Sequence, residues 1–190
     1  FVFGDLILDN SGEVFISDSR NNIIFKLNRS SGKLEEFFSS PEFWNIQGIT
    51  FSGDQQYLYA ADYVKGIFRI DMRSKTISEV GFTPELSLKG IDGLIWHKNS
   101  LIAIQNGVSP MRVTRLFLND TGDKVIAHKL IDRAHPAFNE PTNGCIAGDE
   151  LYYVANSQWS AYNGQHELKP TDQLQDIVIL KTDLQETKQD

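Results

Sequence analysis

Oxygen-bearing side chains recur in this sequence immediately before a glycine. They stand in Gln47-Gly48-Ile49, Asp92-Gly93-Leu94 and Asn143-Gly144-Cys145, with Gly4-Asp5-Leu6 in the corresponding place near the start. A carboxylate and two amides brought to one point form a hard-oxygen donor set. Such a set suits a divalent cation of the Ca²⁺ kind, which takes about six to eight oxygen ligands. On this reading Asp92 and Gln47 are the metal ligands, and Gly48 and Gly93 leave room for the ion or its waters. The plainer reading is that these positions are wet and therefore polar. The fourth occurrence leaves two choices open. Counting back from Leu151 as from Leu101 selects Thr142, whereas matching the residue before glycine selects Asn143.

A cation held there would polarise a bound carbonyl and stabilise the oxyanion that develops, with Asp92, a carboxylate beside the ion, as the candidate base. His135, beside Pro136 in the linker before the fourth occurrence, is the histidine placed for proton transfer; a His-Pro pair equally reads as a loop stiffener. His97, His128 and His166 form no metal-spaced pair. Trp159 and Tyr162 offer aromatic faces for a sugar-like or apolar ligand, or else pack their own loop. Asn106 and Asn156 close strands in the slot that Asp18 and Asp62 fill elsewhere. They read as turn caps on loops that face the same place, and so as ligand contacts. Cys145 is the only cysteine, which excludes an internal disulfide and a cysteine zinc cluster. Its apolar strand marks it as a buried, inert thiol.

The elements that must position these residues repeat. The second strand of each repeat reads Gly12–Asp18, Gln56–Asp62, Ser100–Asn106 and Glu150–Asn156, so its closing positions are spaced 44, 44 and 50 residues apart. A third strand follows in phase and carries one basic residue each time: Lys26, Arg69, Arg115 and Lys181. Turns such as Asp9-Asn10-Ser11-Gly12 join the strands. No stretch keeps a helical period of apolar residues. Several short strands per period of roughly 40–50 residues predict an all-β fold of β-propeller blades, four of them, at about 1–42, 43–86, 87–134 and 135–190. In that architecture the residues before the glycines open the innermost strands and face the mouth of the central channel. Trp44 and Trp96 are expected to pack between blades. The long polar stretch Ser157–Gln173 interrupts the fourth repeat and is expected to form a lid over the mouth, because a loop of that length in a compact fold is usually functional. After Leu184 a charged tail leaves no room for a fourth strand, and the missing strand is expected from outside the sequence.

Composition narrows the partners. A net charge of −7 excludes the concentrated basic surface that nucleic acid requires, and no apolar run is long enough to span a bilayer. The expected partner is a small-molecule ligand or substrate at the mouth.

The phrases Ile91-Asp92-Gly93-Leu94, Ser52-Gly53-Asp54 followed by Leu58-Tyr59-Ala60-Ala61-Asp62, and Ile67-Phe68-Arg69-Ile70-Asp71 resemble the family of gluconolactonase, senescence marker protein and luciferin-regenerating enzyme. The resemblance spans the chain and the later blades of that family. It implies a six-bladed ring, of which this chain holds about four blades, and a Ca²⁺-dependent hydrolase of a lactone or ester. It also implies that Asp92 is a cation ligand and that Gln47 replaces a family asparagine, displaced by one methylene. Gly4 stands where the family has a further asparagine, with Asp5 next to it. These departures keep a second function in view, a non-catalytic propeller that binds a small ligand or a protein at its mouth.

Overall fold

The computed structural model describes residues 1–165 and 167–185. It is an all-β protein built from antiparallel meanders. The first sheet contains β1 (Phe3–Leu8), β2 (Val14–Asp18), β3 (Ile23–Asn28) and β4 (Lys33–Ser39). The second contains β5 (Ile46–Phe51), β6 (Tyr57–Asp62), β7 (Gly66–Asp71) and β8 (Ile77–Glu79), and the third β9 (Ile91–Trp96), β10 (Ser100–Gln105), β11 (Arg112–Leu118) and β12 (Val125–Arg133). The fourth has three strands, β13 (Gly144–Ala147), β14 (Glu150–Val154) and β15 (Ile179–Asp183). These are the expected propeller blades. The charged tail 186–190 and His166 lie outside the described residues.

The sheets stack blade on blade, and the sequence shows why. The middle strands β6 and β10 are buried on both faces, so they read as continuous apolar runs without alternation. One apolar cluster, with Phe15, Ile24, Phe51 and Phe68, fills the space between the first and second blades. Phe15 and Phe51 meet edge to face at 5.2 Å. A second, with Tyr59, Leu88, Leu94 and Leu116, joins the second blade to the third, and there Trp96 stacks on Tyr59 as expected. A third, with Ile102, Ile104, Leu151 and Tyr153, joins the third to the fourth. Trp44 departs from expectation. It is 62% exposed and carries Lys65 over its ring, because it lies in the loop before β5 rather than in a strand.

The innermost strands share one irregularity at their channel ends. Phe3 pairs with Asp18 and Leu6 with Ile16, so Gly4 and Asp5 together oppose Ser17. Ile46 pairs with Asp62 and Ile49 with Ala60, so Gln47 and Gly48 oppose Ala61. Ile91 pairs with Gln105 and Gly93 with Ile104, which leaves Asp92 as the extra residue. A bulge of this kind bends the strand and re-aims a side chain. It occurs at each of the first three donor positions.

The glycines serve a different end from the one expected. A Cβ on Gly48 would stand 2.5 Å from the Leu94 nitrogen and 2.8 Å from the Asp92 carbonyl oxygen. One on Gly93 would stand 3.3 Å from the Asn143 Cα. The space beside each glycine holds the backbone of the next blade, not a cation. Cys145 also departs from expectation, being exposed. Its neighbour Ile146 packs against the third blade, so strand alternation turns the thiol to the face of β13 that no described sheet covers. The same holds on β1, where Phe3, Leu6 and Leu8 are about half exposed.

Candidate functional site

The bulged strand ends converge on one cavity of about 620 Å³ at the channel mouth. Gly4, Gln47, Asp92 and Asn143, one from each blade's channel end, line it together with Asn106 and Trp159. Sequence spacing therefore brings Gln47, Asp92, Asn106, Asn143 and Trp159 to one place. Both candidates of the fourth blade are there too, since Thr142 lines the cavity as well.

Asp92 is the most constrained of these groups. Asn106 Nδ2 donates to its Oδ2 at 2.8 Å, and Tyr63 Oη donates to Asn106 Oδ1 at 2.8 Å. The phenol thereby fixes which way the Asn106 amide faces. Burial pushes the Asp92 carboxyl above the usual carboxylate range; hydrogen bonds from Thr142 and Asn106 act against it, and the Glu140 charge adds to it. The Tyr63 phenol is likewise raised, by burial first and then by Asp92 and Glu140.

Asn106 is free for this role because another residue fills the tie expected of it. In the first two blades an aspartate at the end of the second strand accepts from backbone upstream of the innermost strand: Asp18 from Val2 N, Asp62 from Trp44 N and Asn45 N. In the third blade Gln105 makes that link, donating to the Ser87 and Lys89 carbonyls at 3.0 and 2.8 Å. The register confirms it, since Ile91 pairs with Gln105 as Ile46 pairs with Asp62. Asn106 thus lies one residue beyond the slot the repeat assigned to it.

Gln47 donates through Nε2 to Asn45 Oδ1 at 2.6 Å, and its carbonyl accepts from Ser17 Oγ at 2.6 Å. Its Oε1 fills space beside Gly4. Asn143 donates through Nδ2 to the Gly4 carbonyl at 3.1 Å, joining the fourth innermost strand to the first. Asn143 Oδ1 is buried with no hydrogen-bond partner among the described residues. An orphan acceptor at a polar site marks a place for a donor or a cation.

The long loop lies where expected. Two single 3₁₀ turns, Trp159–Ala161 and Thr171–Gln173, replace strands, and Trp159 and Tyr162 line the same cavity as Asp92. Glu140 fastens the loop. Its carbonyl accepts from Ser157 N at 3.2 Å and Ser157 Oγ at 2.7 Å, and its Oε2 accepts from Ser160 N at 3.1 Å. Sequence reasoning missed Glu140, which stands in a linker outside the repeated phrases.

Two of the singled-out residues take no part in the cavity lining. His135 Nδ1 accepts from Ala137 N at 3.1 Å and its ring lies beside Phe138, as the loop-stiffening reading has it. Asn156 is buried and ties the returning loop, donating to the Asp176 carbonyl at 2.9 Å and accepting from Val178 N at 2.7 Å. Asp5 turns away from the mouth toward a second cavity, of about 600 Å³, and accepts from Ile49 N and Leu6 N. Burial pushes its carboxyl up to about 6.

Among the described residues no three His, Cys, Asp or Glu side chains are grouped for a metal. The mouth instead offers mixed oxygens: the carboxylate of Asp92, the hydroxyl of Thr142 and the side-chain carbonyls of Gln47 and Asn143. That set fits a hard cation; it holds no imidazole or thiolate, the donors zinc sites are built around.

No family model and no curated sequence matches the chain. Solved structures do. Luciferin-regenerating enzyme superposes with a TM-score of 0.57 at 15% identity, over 86% of this chain and 58% of that one. The calcium-binding protein regucalcin of Agrobacterium tumefaciens superposes with a TM-score of 0.58 at 17% identity, over 83% and 54%. A chain of the nidogen/laminin complex reaches 0.59 at 18% identity, over 82% and 55%. At these identities the likeness shows the β-propeller fold alone. The chain spans about half the length of these structures.

Proposed function

We propose that the channel mouth binds a divalent cation of the Ca²⁺ kind and, against it, a small oxygen-rich molecule, and that the reaction it supports is hydrolysis of a lactone or related ester. The observation that carries this reading is Asn143 Oδ1, a buried acceptor without a partner on the cavity that Asp92 lines. Asp92, Gln47 Oε1 and Asn143 Oδ1 would hold the ion. Burial makes the charge on Asp92 unfavourable by itself, and a cation restores it. The calcium-binding regucalcin among structures of this fold agrees with the choice of ion. The uncovered faces of β1 and β13 support taking these four blades as an arc of a larger, six-bladed ring.

When bound, the cation supplies Lewis acidity to a carbonyl oxygen and lowers the pKa of water. The protein's own groups do the rest. Asp92, oriented by Asn106, accepts the proton of an attacking water. The loop held by Glu140 sets Trp159 over the mouth and limits bulk water. Tyr63 keeps its proton committed to Asn106 and only orients.

A second reading, a binding propeller without catalysis, rests on His135. Its ring is not among the groups lining the mouth, so among the described residues no imidazole is supplied to protonate a leaving group. Calorimetric titration with CaCl₂ on the protein and on Asp92→Asn, followed by a screen of lactones and aryl esters, separates the two. Calcium binding that Asp92→Asn abolishes, with turnover, supports the hydrolase. Calcium binding without turnover selects the second reading, and no calcium binding removes the metal from both.

A further inference from the structure

The mouth carries a feature that cation ligation does not use. Glu140 Oε2 is bonded to Ser160 N, so its carboxylate sits at the foot of the turn that carries Trp159. Trp159 and Tyr162 lie 6.0 Å apart at an interplanar angle of 43°, a splayed pair rather than a closed stack. They are 61% and 46% exposed, which leaves large aromatic faces in water at the rim of a cavity. The described residues that line this cavity include Asp92 and Glu140 and no lysine, arginine or histidine. The lining's own charge is thus negative before any cation binds, Glu140 stands outside the proposed ion ligands, and the aromatic wall presents the electron-rich ring faces that attract cations.

We propose that the mouth selects ligands bearing an ammonium group on an apolar body, with the ammonium against the Glu140 carboxylate and the faces of Trp159 and Tyr162. A carboxylate beside two splayed rings is a recognition element for an organic cation: the rings bury its alkyl groups and the carboxylate neutralises its charge. A neutral sugar also stacks on tryptophan, but it gains nothing from Glu140. An anionic ligand is repelled by the Glu140 carboxylate. This inference rests on the proposed small-molecule site and names its substrate class, a lactone or ester with an ammonium substituent.

The test uses a matched pair of probes, acetylcholine and its uncharged carbon isostere 3,3-dimethylbutyl acetate, with tryptophan fluorescence or calorimetry as readout, in calcium and in chelator. Acetylcholine is expected to bind at least about tenfold more tightly than the isostere, with the preference shrinking as salt is raised. Glu140→Gln keeps an acceptor for Ser160 N and is expected to erase the preference while weakening calcium binding far less than Asp92→Asn does. Trp159→Ala is expected to weaken both probes. Equal binding of the two probes, or a preference that survives Glu140→Gln, overturns the inference. A calcium titration on the same samples keeps the two readings apart. Calcium binding without a preference defeats only the ammonium inference, and a preference without calcium binding defeats only the metal.

Discussion

Gln47 Oε1 lies 2.9 Å from the point where a Cβ on Gly4 would stand, so the longer arm at one position occupies the space that the missing side chain leaves at the other. The two departures from the resembled family are one local solution. Gly4→Ala is expected to push the Gln47 arm aside and weaken binding at the mouth, while Gln47→Asn in the same molecule gives back the room. A double-mutant cycle on calcium affinity checks it, with a coupling of at least about 0.5 kcal/mol expected for groups in contact. Additive effects would show that the two residues do not share the space.

The chain from Tyr63 through Asn106 to Asp92 predicts a graded series. Asp92→Asn removes the charge and is expected to abolish calcium binding. Asn106→Ala removes the donor that holds the carboxylate. Tyr63→Phe loses one neutral hydrogen bond, worth about 0.5–1.5 kcal/mol, and so is expected to weaken binding by roughly tenfold or less. Calcium affinities measured on the three variants check the order. A Tyr63→Phe effect as large as that of Asp92→Asn would mean that the phenol itself is a ligand.

The fold was legible because each blade repeats one phrase, and strand order in a meander follows chain order. The donors at Gln47, Asp92 and Asn143 were legible because a glycine marks each. Its cause, however, is the close approach of backbone, from the next blade at Gly48 and Gly93 and from the paired strand β14 at Gly144, which sequence does not display. Asn106 was misassigned by one residue because Gln105 and Asn106 are adjacent amides, and only pairing shows which one makes the tie. Glu140 carries no repeat signal at all. Burial of Cys145 failed as an expectation because alternation fixes which face a strand residue points to, not whether anything covers that face.

Asp5 predicts a pH dependence of stability. Its folded pKa, about 6, is raised above the ordinary 3.8, so the folded state binds the proton more tightly than the unfolded chain. The stability this supplies is complete below about pH 4 and is lost as pH rises through 6. The loss amounts to at most about 3 kcal/mol by linkage. Urea unfolding between pH 4.5 and 7.5 is expected to show falling stability in the native protein and a flatter profile in Asp5→Asn. An unchanged slope in Asp5→Asn would assign the effect to other groups.

Gly48 separates the two accounts of the glycines most sharply. If Gly48 merely leaves room for an ion, Gly48→Ala lowers calcium affinity and leaves the apo protein as stable as before. The structure predicts otherwise, because the obstacle at 2.5 Å is the Leu94 backbone nitrogen, which no rotamer change can move. The second and third blades must part, and the cluster holding Tyr59, Leu94 and Leu116 opens with them. Overpacking of this kind costs roughly 1–3 kcal/mol, and a backbone obstacle belongs at the upper end. Thermal unfolding in chelator, with Gly164→Ala as the control at a glycine that has no neighbour within 4 Å, reads the difference directly. A Gly48→Ala protein that melts with the native one in chelator would return the glycine to the metal site.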